Sequence, residues 1–113
     1  MKEQEVHTAV VKYLNWMPNI LFTSTLGGIY LGNASWNQKR ILKTHYKKGV
    51  PDILIFEPRN DYNGLMIELK TTKGKTSIHQ KEWIDKLNDR KYMAVVCRGF
   101  KDAIDTIDLY FKK

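Results

Sequence analysis

Residues 49–56, GVPDILIF, and 64–70, GLMIELK, decide how this chain folds. Side chains alternate across a strand. Over 52–56 this places Ile53 and Ile55 on one face and Asp52, Leu54 and Phe56 on the other. Apolar residues on both faces predict a central position in a sheet. Over 65–71, Leu65, Ile67 and Leu69 share one face, and Met66, Glu68 and Lys70 share the opposite one. The intervening PRNDYNG is turn-forming, so the two strands are expected to pair as an antiparallel hairpin. A strand face carrying charge commonly turns to water. Here the neighbouring strand offers no solvated face, so Glu68 and Lys70 fall at the margin of a covered sheet. Charges in such a place need partners or a metal.

Outward from this pair, Val6, Ala9, Val10, Tyr13, Leu14 and Met17 recur at helical spacing, predicting a helix over 3–17 that Pro18 ends. ILFTST at 20–25 reads as a short strand, stopped by Gly27-Gly28. From Asn33 as N-cap, the basic run 34–48 can form a second helix, closed by Gly49. Ser77-x-x-Gln80 has the form of a capping box and opens a helix through about Asn88. YMAVVC at 92–97 is a strand, and Phe100, Ala103, Ile104, Ile107 and Tyr110 or Phe111 share a face of a last helix. The order α-β-(α)-β-β-α-β-α predicts an α/β fold with a mixed central sheet flanked by helices. Nothing divides the chain, and 1–113 is read as one domain.

The formal net charge is +7, and it is unevenly placed. Lys39, Arg40, Lys43, Lys47 and Lys48 fall in ten residues that contain no acid, and Lys70, Lys73, Lys75 and Lys81 form a second such cluster. Such clusters attract polyanions, although a solvated helix face and a lysine-rich loop would look the same. Cys97 is the only cysteine, which excludes an internal disulfide; its apolar neighbours mark a buried, inert thiol. No apolar run approaches the roughly 18 residues of a membrane span, and the N-terminus is polar and acidic. A soluble, cytoplasmic protein is expected.

Hydrolysis of a phosphodiester needs an attacking hydroxide and stabilisation of the negative charge that builds on the phosphate. Asp52 and Glu68 are hard oxygen ligands suited to Mg²⁺ or Mn²⁺, which would acidify a water and polarise the phosphate. Lys70 beside them could orient or deprotonate that water, or stabilise the developing charge. Asp52, fifteen residues, then Glu68-Leu69-Lys70 resembles the PD-(D/E)xK nuclease motif, with Pro51 literally present. KGVPDILIF, GLMIELK and the later SIHQKEW more narrowly resemble the VRR-NUC group of that superfamily, especially its short stand-alone members from phages.

The resemblance implies a restriction-endonuclease-like fold, with Asp52, Glu68 and the Leu69 backbone carbonyl as metal ligands and Lys70 as the catalytic lysine. It also implies that Gln80 points back toward the site, beside its capping role. A glutamate on the first helix is implied near the metal, and Glu3 and Glu5 are available. The apolar stripe of that helix is centred nearer Glu3, which is therefore preferred. His7, one turn on, could reach the same place or simply face solvent. Trp83 reads as a core anchor. Lys39, Arg40, Lys43, Lys47, Lys48, Lys73 and Lys75 are expected to meet backbone phosphates rather than base edges. The function implied is a metal-dependent endonuclease, a homodimer that cuts branched DNA. Four-way (Holliday) junctions are preferred as substrate over flaps. A DNA-binding module without catalysis and a protein-interaction domain remain open as other classes of function.

Overall fold

The computed structural model describes residues 1–25 and 35–112. Four helices and four strands follow in the expected order, among the described residues: α1 (Glu3–Trp16), β1 (Phe22–Ser24), α2 (Trp36–His45), β2 (Ile53–Ile55), β3 (Leu65–Lys70), α3 (Ile78–Asp89), β4 (Met93–Arg98) and α4 (Phe100–Phe111). The sheet order is β1-β2-β3-β4. β1 and β3 both run antiparallel to β2, while β3 and β4 are parallel and joined through α3. The sheet is mixed, as the sequence predicts.

The β2–β3 hairpin forms as expected. Asn60 and Asp61 at its tip both have positive φ, 53° and 69°, the pair of values that a tight hairpin turn of right-handed strand twist requires. Arg59 and Tyr62 exchange both backbone hydrogen bonds across that tip. Leu65, Ile67 and Leu69 are fully buried with Ile53 and Ile55. They form one core with Val6, Val10 and Leu14 of α1 and with Ala103, Ile107 and Tyr110 of α4. Each such aliphatic side chain contributes about 1.5–3 kcal/mol on burial, so this face of the sheet holds the fold together. On the other face, α3 packs against β4 and is pinned there by Asn88, whose side chain bonds both the N–H and the carbonyl of Ala94.

Three expectations need correction. The second helix does not run over 34–48. Ser35 caps it, its hydroxyl accepting from the Gln38 N–H at 3.1 Å, while the expected cap Asn33 lies outside the described residues. It ends at His45 because no residue of α2 is buried, so no core contact prolongs it. Tyr46 leaves the helix in extended conformation, its hydroxyl 3.4 Å from that of Thr25. Gly49, at φ 98°, then turns the chain toward β2. The first strand is also shorter than 20–25, although Phe56 N–H to Leu21 carbonyl and Thr25 N–H to Asp52 carbonyl bonds continue its pairing at both ends. Finally, only the Ile53/Ile55 face of β2 is closed. Leu54 is half-buried and Phe56 is 44% exposed, because α3 covers β4 rather than reaching across to β2.

Candidate metal centre and its surroundings

β2 begins one residue after Asp52, and the register of the hairpin explains what that does. Ile53 pairs with Ile67, so one antiparallel step further sets Asp52 opposite Glu68 with both side chains on the face away from α1 and α4. Asp52 Oδ2 accepts the Leu69 N–H at 2.8 Å. The N–H and carbonyl of a strand residue point to the same edge, so the Leu69 carbonyl is turned toward Asp52 as well. Asp52 and Glu68 are buried, at 5% and 2% exposure. Glu3, at the exposed start of α1, completes a set of three carboxylates whose nearest oxygens all lie within 4.8 Å of one another. Glu5 instead turns back to accept the Lys2 N–H.

Gln80 performs two tasks with the two ends of one amide. Its Oε1 accepts the Ser77 N–H at 2.8 Å while its own N–H donates to Ser77 Oγ at 3.2 Å, which closes the capping box of α3. Its Nε2 donates to Glu68 Oε2 at 3.1 Å. Lys70 Nζ stands 3.9 Å from the same oxygen. Glu68 Oε1, by contrast, is buried without a hydrogen-bond partner among the described residues. Burial, and then repulsion from Asp52, push the Glu68 carboxyl up from 4.5 to about 9, and Lys70 offsets only part of this.

A divalent cation fits these residues. It would satisfy the orphaned Glu68 Oε1 and neutralise the crowded carboxylates in one step. The donors are oxygen throughout, a set that suits hard divalent cations.

The other expected site residues lie on α2 and on the segments that flank Asp52 and Lys70 in the chain. Lys39, Arg40 and Lys43 project from α2, where the Arg40 guanidinium lies 5.4 Å from the Trp36 ring centroid. Lys47 and Lys48 lie in the turn that leads to Asp52, and Lys73 and Lys75 in the loop after Lys70. Sequence reasoning missed what holds that loop. Arg98, paired in register with Lys70, donates through Nη1 to the carbonyls of Thr71 and Gly74. Only knowledge of the parallel β3–β4 pairing would have signalled it. His7 bonds Ser24 across α1 and β1 at 3.0 Å. Trp83 is half-buried rather than a full core residue, set against Gly49. Cys97 is buried, as expected, and burial pushes its thiol up.

Comparison with known proteins agrees with this geometry. A solved structure described as "VRR_NUC domain protein" superposes with a TM-score of 0.79 at 26% identity, over 99% of this chain and 89% of that one. A second, described as "VRR_NUC domain", gives 0.64 at 20% identity over 98% and 99%, which speaks for the fold alone. No curated protein matches the chain. The sequence model of the VRR-NUC domain matches residues 33–101, a span that holds Asp52, Glu68, Lys70 and Gln80. This chain belongs to the VRR-NUC domain family, which implies a nuclease of the PD-(D/E)xK type.

Proposed function

We propose that this protein is a structure-selective DNA endonuclease dependent on Mg²⁺ or Mn²⁺, and that it cuts four-way junctions as a homodimer. Residues 1–113 act as one catalytic domain, in the reducing cytoplasm that suits the free thiol of Cys97. The observation that carries the reading is Glu68. It is a buried carboxylate with one oxygen held by Gln80 and the other orphaned, beside Asp52, Glu3 and Lys70. A purely structural ion pair would leave neither the orphan nor the crowded acids.

Asp52, Glu68, the Leu69 carbonyl and Glu3 would hold the cation, which supplies Lewis-acid stabilisation of the phosphate and a more acidic water. The remaining work belongs to the chain. Asp52 is oriented by the Leu69 N–H, and Gln80 fixes the rotamer of Glu68 so that Oε1 faces the centre. Lys70 Nζ orients the attacking water and neutralises charge that accumulates on the phosphate. Lys39, Arg40, Lys43, Lys47, Lys48, Lys73 and Lys75 hold the flanking backbone. A two-fold dimer would carry two such centres and place paired cuts in opposing strands of a junction.

The test is to incubate the purified protein with labelled four-way, flap, duplex and single-stranded DNA in Mg²⁺ and in Mn²⁺. Paired nicks across the junction that vanish with chelator and with Glu68→Ala are expected. Preferential flap cutting would replace the junction with the flap as substrate. Tight binding without cleavage in either metal would reduce the protein to a binding module.

A further inference from the structure

A cleft of about 550 Å³ opens between the turn after α2 and α3. That size lies within the roughly 300–1,000 Å³ of sites that hold small molecules. Lys47 and Lys48 line it from the turn. His79, Trp83, Lys86 and Arg90 line it from α3, at spacings that put them on one helix face. Glu82 also reaches the cleft, a single carboxylate among four permanent cations. The walls are fixed to one another. Gly49 lies so close to the His79 carbonyl and the Trp83 indole that a Cβ there would collide with both. The turn is therefore seated on α3, and one edge of Trp83 is spent in holding it.

Both walls lead to the metal centre. The turn continues through Val50 and Pro51 into Asp52, and His79 precedes Gln80, which bonds Glu68. A chain of phosphates leaving the carboxylates would meet this cleft next. A bare phosphate would need only the cations. The indole lines the cleft and is partly exposed, a flat surface that suits a base, and base–aromatic stacking is indifferent to sequence. Bases inside a duplex are already stacked and cannot enter. We infer that the cleft receives one unstacked nucleotide of a DNA strand, its phosphate held by Lys47, Lys48, Lys86 and Arg90 and its base laid against Trp83. The inference rests on the nuclease reading above and gives it a source of structure selectivity: a branch point offers unstacked nucleotides and a plain duplex does not.

The protein has three tryptophans, so Trp16→Phe with Trp36→Phe leaves Trp83 as the sole indole reporter. With chelator present, an oligothymidylate of about eight nucleotides should quench its fluorescence saturably, whereas a blunt duplex of equal length should quench weakly. Lys86→Gln with Arg90→Gln should raise the apparent Kd for the single strand about ten-fold, and raise KM for branched DNA similarly with kcat within about two-fold. Both residues are exposed, and circular dichroism confirms that the fold persists. Trp83→Leu should narrow the preference for branched over duplex substrate. Absent quenching, or quenching insensitive to the Lys86/Arg90 pair, would overturn the inference when the same preparation cleaves branched DNA. Quenching that responds to the pair without metal-dependent cleavage would uphold the cleft and remove the nuclease reading.

Discussion

Glu68 answers to a proton and a cation that compete for the same carboxylate. Its pKa is raised from 4.5 to about 9 by burial and by Asp52, so the metal-free folded state binds a proton that the unfolded chain has lost at neutral pH. For a group raised in this sense, the stabilising contribution is fully present below about 4.5 and disappears as pH rises through about 9. A cation binds the deprotonated form and works in the opposite direction. The gain in Tm from saturating Mn²⁺ over chelator should therefore grow between about pH 5.5 and 8.5, with close to one proton released per ion at neutral pH. Glu68→Gln should remove most of that gain while leaving the metal-free protein no less stable, because the amide keeps the shape of the neutral carboxyl without requiring a proton to be taken up on folding. A metal-induced shift that ignores pH would refute this account of the site.

At the scale of elements, Gly49 joins the fold to the site. Its φ of 98° is strained for any other residue, and there is no space for a side chain beside His79 and Trp83. Gly99, at φ 91°, has open space around it. Gly99→Ala should cost about 1 kcal/mol of conformational strain, and Gly49→Ala about 2–3 kcal/mol because the turn must also lift from α3. Urea unfolding of the two variants measures the difference; equal costs would mean that the turn is not seated on α3. The elements that were legible in the sequence carry a strong periodic pattern: the Val6–Val10–Leu14 stripe of α1, and the alternation of Leu65, Ile67 and Leu69 against Glu68 in β3. α2 was overextended because it has no buried stripe, and the docking of Tyr46 that ends it is a tertiary event. The resemblance called for a first-helix glutamate, which helical angles narrowed to Glu3 over Glu5; it also aimed Gln80 at the site, while the capping box alone placed Gln80 only at the start of a helix. The Arg98 hold on the lysine loop and the His7–Ser24 bond could not, since both depend on pairings between segments distant in sequence.

Across the whole molecule, the two ends of the β2–β3 hairpin differ in what surrounds them. Asp52 and Glu68 lie at one end, where the turn after α2 enters and the 71–76 loop leaves; the Arg59–Tyr62 tip lies at the other. α2 buries no residue, so its cations answer to no core requirement, and on the proposed function they are free to meet a DNA backbone. Charge that is placed and charge that is merely net make different predictions. Each phosphate neutralised on duplex DNA contributes about −0.9 to the slope of log K against log salt. Lys43→Gln, Lys47→Gln and Lys48→Gln together should flatten that slope by about 2–3 if all three meet phosphates. Lys12→Gln, Arg59→Gln and Lys112→Gln remove the same formal charge further along α1, near the hairpin tip and near the end of α4, away from the carboxylates and from the α3 cleft. Their slope should match that of the unaltered protein, because exposed charges further apart than the Debye length, roughly 8–10 Å at moderate salt, are screened from a strand bound at the carboxylates. Equal flattening in both triple variants would show that net charge alone draws DNA to this protein; flattening in the first alone would tie the binding path to the segment that runs directly into Asp52.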